Sequence, residues 1–454
     1  MGNRLVQPRR CNGLEYLPQS KPGFEVILVI LVVMVLNIIS LASPDPVPPP
    51  GPPLKSGSLS VLDFGAKCDG ATDDTAAIQA AISAARTSAT GATIVIPDSG
   101  HGCVVSQLDI TNSQSRIRLV GEASMNGAQS YLLCRERLSD VGVCVDFSGT
   151  DSFNVEHLQI IGGATAATAP KVTVLLGKTR KSDGSIGNGS EITWFSVTVN
   201  TNGDYGVYNF GGEAWNCNQC YFVGNEVADV VLSNANSAGI TSPFASLVSA
   251  PTSMTAVHFN GGTFGTSNSA VAVRIDPWPA GGAPIGDIGF ADGYAHIAGP
   301  AFIDDTGSSD SQGIIEGIRI TGWRTEAFAA AATFAQFNNV VLQITIDAAY
   351  AAAQEPTVAP LQFNGAGGPY SVIVGDINLR PADWGGAYPP TVVYCYGGTM
   401  GVVIHDFPGP TGTPTRNNCA GATLMGGATG GGAEPASRAP VKRPTCSKEM
   451  NCGH

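Results

Sequence analysis

Between residues 155 and 379 the chain repeats one local pattern, apolar-x-x-apolar-x-apolar, followed by Gly, Asn or Asp. It occurs at Val155/Leu158/Ile160, Ile192/Phe195/Val197, Cys217/Cys220/Phe222 and Met254/Val257/Phe259. It continues at Ile285/Ile288/Phe290, Ile315/Ile318/Ile320, Val341/Ile344/Ile346 and Val374/Ile377/Leu379, with a weaker copy at Thr399/Val402/Ile404. The last two apolar positions carry the strand period, and the longer step before them marks a bend or bulge leading into the strand. Copies are 25 residues apart at the closest (Ile192 to Cys217) and 37 at the widest (Val155 to Ile192). Such spacing is too long for hairpins, and no amphipathic helix of βαβ length intervenes. The pattern therefore predicts a stacked solenoid in which each coil buries its apolar row against its neighbours. Ala92–Pro97 and Ile117–Val120 read as two further strands upstream.

The stretch 60–82, SVLDFGAKCDGATDDTAAIQAAI, has a different pattern. After a short apolar strand and an Asp/Gly/Thr turn, Ile78, Ala81, Ile82 and Ala85 recur with helical spacing. Asp73 or Asp74 suits the amino end of that helix. The wording DFGA…DG…DDTAAIQAAI resembles the opening segment of the pectate-lyase-like superfamily, right-handed parallel β-helix proteins that include family 28 and family 55-like glycoside hydrolases and many viral tailspikes. The resemblance implies an all-β fold, a single-stranded right-handed parallel β-helix over residues 59–419, with an N-terminal helix capping its first coil. On this reading Asp63, Asp69, Asp73 and Asp74 shape the turn and cap the helix.

The flanking segments differ in character. Residues 1–23 are polar and carry Arg4, Arg9, Arg10 and Lys21; residues 24–42 are almost wholly apolar. Positive charge ahead of a span at the lower length limit reads as a signal peptide or an uncleaved signal-anchor, and either places the remainder outside the cytoplasm. Residues 43–58 are a proline-rich, extended linker, and residues 420–454, with few apolar residues, read as a mostly disordered Gly/Ala/Pro/Lys tail. The chain has 454 residues, 57 Gly, 30 Pro and 13% charged residues, which suits a turn-rich β protein. Its net charge of −12 argues against nucleic acid as a partner. Ten of the eleven cysteines follow the apolar segment, an even number that points to disulfides in an oxidising compartment. Cys134/Cys144, Cys395/Cys419 and Cys446/Cys452 are local pairings that spacing allows. Cys217-x-x-Cys220 lacks the second half of a zinc site and reads as packing or a disulfide. Asn188-Gly189-Ser190 is a glycosylation sequon.

Outward side chains on such a solenoid stack in rows about 4.8 Å from coil to coil. Written from the repeat, one row is Gln159, Ser196, Tyr221, His258, Gly289, Arg319, Thr345 and Asn378. The other is His157, Trp194, Gln219, Ala256, Asp287, Gly317, Gln343 and Asp376. These rows bring together Tyr221, His258, Asp287 and Arg319, with Trp194 at one end and Trp323 in the loop Thr321–Glu326. Asp287, Arg319 and His258 are the expected catalytic groups; Trp194, Tyr221 and Trp323 are the expected sugar contacts. Cleavage by hydrolysis needs a second carboxylate, for which Asp304, Asp305 and Glu316 are candidates. The Asn-Thr-Asp, Gly-His-Gly and Arg-x-Lys signatures of family 28 are absent in order. No metal ligand set is read from the sequence, and Ca²⁺ enters only if the reaction is a lyase elimination. The function expected is an extracytoplasmic carbohydrate-active β-helix, a glycoside hydrolase or polysaccharide lyase. The alternative is a glycan-binding or spike-like surface solenoid. Partners would be a polysaccharide or surface glycan, a membrane if the N-terminal segment stays uncleaved, and two further copies in a homotrimer.

Overall fold

A computed structural model describes residues 57–425, apart from 89–90, 114–115, 123–129, 136–141, 164–168, 237–238, 249–251, 267–269, 278–283, 306–312, 328–332, 339, 348, 354–360, 364–369, 375–376, 380–392, 396–399 and 406–422. The expected N-terminal segments up to residue 56 and the Cys395/Cys419 and Cys446/Cys452 pairings lie outside the described residues. Among the described residues no helix is long and apolar enough to cross a membrane.

Three long sheets of 13, 11 and 10 strands run the length of the domain, and every pairing within them is parallel. One coil shows the path. Ser190–Phe195 lies in the first sheet, Thr198–Thr201 in the second and Tyr205–Phe210 in the third; Glu213–Asn218 then returns to the first sheet beside its start. The chain is a right-handed parallel β-helix, as the repeat and the opening segment imply. Its strands run from Ser58–Ser60 to Thr423–Met425, the latter within the segment read as a tail.

The repeating triad has a specific structural meaning. Five consecutive first-sheet strands, from Asn154–Glu156 to Ile288–Ala291, are flanked by two corners, each made by one residue in the left-handed region. Ser152, Glu191, Ala214, Ala256 and Asp287 form the leading row, with φ of 50–58°. His157, Ser196, Gln219, Gly261, Asp292 and Gly322 form the trailing row. At Val155–Ile160 the order is in, out, left-handed, in, out, in, so the corner residue shifts the alternation by one place. The corner amides stay in the ladder: His157 N–H donates to the Phe195 carbonyl at 3.0 Å, Ser196 to Asn218 at 2.9 Å and Gln219 to Asn260 at 2.8 Å. Bonding to the next coil offsets the steric cost of a non-glycine left-handed residue.

The coil assignments need two corrections. The inward triad of the second copy is Trp194/Val197/Val199, because Val155 pairs with Trp194 and Trp194 with Cys217; Phe195 points out. In addition, the copies at 155 and 217 mark trailing corners, whereas those at 254, 285 and 315 mark leading corners. Each outward row written from the sequence therefore mixes positions of two sheets, with Gln159 and Tyr221 on the second and His258, Gly289 and Arg319 on the first.

One hydrophobic core runs through the coils, from Leu59 to Phe363. The helix Thr75–Arg86 joins it through Ile78, Ala81, Ile82 and Ala85 and covers the first coil. Asp73 caps that helix by accepting from the Thr75 amide at 2.9 Å. Asp74 turns inward, taking the amides of Lys67 and Cys68 at 2.6 and 3.0 Å. Asp69 holds the turn: the Thr72 and Ala71 amides and the Thr72 hydroxyl lower its pKa to about 2. Disulfides join Cys68–Cys103, Cys134–Cys144 and Cys217–Cys220. A second apolar cluster lies on the third sheet, where Ile240 and Leu247 of an inserted loop pack against Val172, Leu175, Tyr208 and Val231.

Candidate functional site

In the first sheet, strands Val257–Asn260, Ile288–Ala291 and Ile318–Thr321 lie side by side. Their apolar members Val257, Phe259, Ile288, Phe290, Ile318 and Ile320 are buried, so the intervening positions face outward. The register aligns His258, Gly289 and Arg319 on three successive coils. Asp287 stands at the leading corner just ahead of its strand, with φ 51°. Its side chain is 66% exposed, and its Oδ1 lies 3.5 Å from His258 Nε2. Gly289 makes that approach feasible, since a Cβ there would stand 2.8 Å from His258 Cδ2. The imidazole lies across the glycine toward the next coil.

Glu316 enters the same way. Ile285 bridges Ile315, which sets Glu316 beside Gly286, and a Cβ on Gly286 would meet Glu316 Oε2 at 2.9 Å. Two adjoining depressions of about 230 Å³ share Asp287 and Arg319. One is completed by His258, Asn260 and Thr321, the other by Glu316, Gln343 and Thr345. Among the described residues neither Arg319 nor Glu316 makes a side-chain hydrogen bond or ion pair. The dish thus offers an uncommitted guanidinium, an uncommitted carboxylate and a His–Asp pair to solvent. Such a set can donate to and accept from hydroxyls, and its carboxylates stand on neighbouring coils.

The structure brings Asp287, His258 and Arg319 together as the sequence rows anticipate, and Glu316 is the carboxylate that joins them. Asp304 and Asp305 are buried at the third sheet, at 9% and 0% exposure, and do not reach the dish. The aromatic expectations fail. Trp194 is fully buried and packs edge-on against Trp215 at 5.2 Å, because Trp194, not Ile192, opens the inward triad here. Trp323 is fully buried too, stacked on Phe302 at 5.3 Å. Its indole fills the space left by Gly293, where a Cβ would lie 2.0 Å from the ring. The stretch 321–326 is thus a trailing corner, and its Trp occupies the inward position that Leu158 and Cys220 hold in other coils. Tyr221 is 40% exposed but belongs to the second sheet, so it does not line the dish. Gln343, which the second row places outward, also lines it, and so does Asn260, which the rows do not contain.

The most perturbed carboxyl lies elsewhere. Burial pushes Asp229 up to about 8, although Asn225 Nδ2 donates to it at 2.7 Å. It is fully enclosed and has no access to a substrate. Among the described residues, the one group of three metal-ligating side chains is Cys68, Asp74 and Cys103, and both thiols are spent in a disulfide.

Residues 58–131 match the family profile described as rhamnogalacturonase A/epimerase, pectate lyase-like. No curated protein sequence matches the chain. Among solved structures, the Streptococcus pneumoniae surface protein and adhesin PfbA is 15% identical with a TM-score of 0.54, covering 81% of this chain and 98% of that one. DFA-IIIase from Arthrobacter chlorophenolicus A6, in complex with GF2, is 12% identical with a TM-score of 0.51, covering 77% and 87%. Geobacillus virus E2 ORF18 is 14% identical with a TM-score of 0.41; the chain spans 66% of its length. At these identities the likeness is one of fold.

Proposed function

We propose that this pectate-lyase-like β-helix acts outside the cytoplasm on a glycan, which it binds and cleaves in the dish on the first sheet. The observation that carries this is the pairing of uncommitted Arg319 and Glu316 with the Asp287–His258 couple around one solvent-filled depression opened by two glycines. Elsewhere on the same sheet Arg118 is paired with Glu156 at 2.7 Å, whereas Arg319 and Glu316 keep their charges for solvent or a ligand. In this reading Asp287 and Glu316 flank the scissile bond, His258 exchanges a proton with Asp287, and Arg319 orients the sugar. The matching of residues 58–131 to a family named for rhamnogalacturonase and epimerase supports a carbohydrate substrate. The three disulfides support an oxidising location.

The test is incubation of the secreted protein with a polysaccharide panel. New reducing ends identify a hydrolase, and absorbance from an unsaturated product identifies a lyase. Loss of lyase product on chelation with EDTA would assign Ca²⁺ to the reaction. Asp287→Asn and Glu316→Gln are each expected to abolish product, and binding without cleavage across the panel sinks the enzymatic reading. The adhesin among the structural neighbours keeps a non-catalytic glycan-binding role as the second reading, and that outcome would favour it.

A further inference from the structure

The outward face of the second sheet carries a row of a different kind. Pairing aligns Tyr131, Gln159, Thr198, Tyr221, Thr263 and Tyr294 on six successive coils. All six are partly or well exposed, Tyr221 most at 40%. Each offers a hydroxyl or an amide, three add an aromatic ring, and none is ionised at neutral pH. The run carries no charge, which suits a neutral ligand rather than an ionic one. It ends at Arg324, whose guanidinium lies 5.9 Å from the Tyr294 ring centre.

We propose that this row is a second binding site, separate from the dish, for a neutral polysaccharide lying along the solenoid axis. A neutral sugar chain presents hydroxyls at its edges and C–H groups on its faces. Tyrosine rings cover the C–H faces, while the Tyr, Thr and Gln polar groups exchange hydrogen bonds with the edges. The row is about 24 Å long, five steps of ~4.8 Å, room for several sugar units in one extended chain. Its backbone is a rigid parallel sheet, so the platforms are preorganised and little ordering is needed on binding. The sheet places the row around the trailing corner from the dish, so one site can hold the polymer while the other works on it. The proposal does not depend on cleavage in the dish.

The experiment is sedimentation of the full chain with insoluble cellulose, starch granules and β-1,3-glucan particles, at low and high salt. Binding to at least one of these polymers is expected, unchanged by salt because no ion pair is involved. Tyr221→Ala with Tyr294→Ala should lower the bound fraction about tenfold or more, as loss of aromatic anchors does. Tyr221→Phe with Tyr294→Phe should retain most of it. Melting curves identify any variant that fails to fold, and the Phe pair then carries the test through a smaller, hydroxyl-dependent loss. No sedimentation with any of the three polymers would overturn the proposal. So would binding that falls with salt or survives the Ala pair. If the Ala pair instead turns an oligomer into a monomer, the face is an interface between copies and the proposal is wrong.

Discussion

Gly289 is the residue on which the dish turns. Its neighbours in the row, His258 and Arg319, carry long side chains, and only the missing Cβ lets the imidazole lean to Asp287. Gly289→Ala should move His258 off Asp287 and reduce product formation roughly 100-fold, the cost of about 1 Å of misplacement. Its melting temperature should stay near that of the wild type, because the position faces solvent. An unchanged turnover would show that the His–Asp contact is irrelevant. Trp323 makes the opposite case. It is buried against Phe302 and Phe290, so Trp323→Ala should cost about 3–5 kcal/mol of stability. Trp323→Phe should cost far less, since the indole N–H has no partner and its removal leaves nothing newly unpaired. Neither change should alter glycan affinity in the fraction that folds, measured by calorimetry beside chemical denaturation. Asp229 sets a pH dependence. Its folded pKa of about 8 lies above its ordinary 3.8, so the folded state holds a proton that the unfolded state has released. Stability from this group is whole below about pH 4 and is lost as pH rises toward 8. Asp229→Asn keeps the acceptor for Asn225 and removes the titration. The variant should therefore gain stability over the wild type as pH rises, and parallel melting-temperature curves between pH 4 and 8 would refute this.

Corners are the element that made the fold legible and the site only partly so. Six positions, in, out, left-handed, in, out, in, generate the apolar-x-x-apolar-x-apolar signature wherever a coil turns. The five coils from Asn154 to Ala291 turn this way on both sides of the first-sheet strand, and the signature is the same at each. Sequence therefore reveals that coils exist without revealing which corner is being read. His258, Asp287 and Arg319 were brought together correctly because all three derive from leading corners. Tyr221 derives from a trailing corner, so the same signature puts it on a different face. Trp194 was lost differently: Ile192 is also inward, so Ile192 and Phe195 mimic a triad two residues early. A left-handed corner also has an energetic consequence. Ala214 sits there at φ 50° with only a methyl side chain to lose. Relief of about 1–2 kcal/mol of left-handed strain outweighs the 0.5–1 kcal/mol entropic cost of glycine. Ala214→Gly should thus stabilise the fold slightly, a rise in melting temperature that would be unexpected for glycine within a strand-rich coil.

At the scale of the molecule, the parallel β-helix and its cap were readable because both follow from local rules, a corner signature and an amphipathic helix. What the sequence does not encode locally is how far one coil supports another. The core from Leu59 to Phe363 is continuous, yet each coil touches only its neighbours, so stability should be close to a sum of adjacent contacts. The Cys68–Cys103 disulfide ties the first two strands of the second sheet, under the cap helix, across 35 residues. Removing it with Cys68→Ser and Cys103→Ser should release about 3–4 kcal/mol, by the loop entropy restored to the unfolded chain. In a globular core that loss would be shared by every amide. In this solenoid it should fall on the cap and the first coils, where Asp74 would also lose the rigid turn it holds. Hydrogen exchange should accelerate over residues 58–110 and remain slow over 254–346, with the dish at His258, Asp287 and Arg319 keeping its ligand affinity. Uniform acceleration along the chain would instead mean that the aromatic core, Trp194 and Trp215 through Phe259 and Phe302 to Trp323, couples all the coils into one cooperative unit.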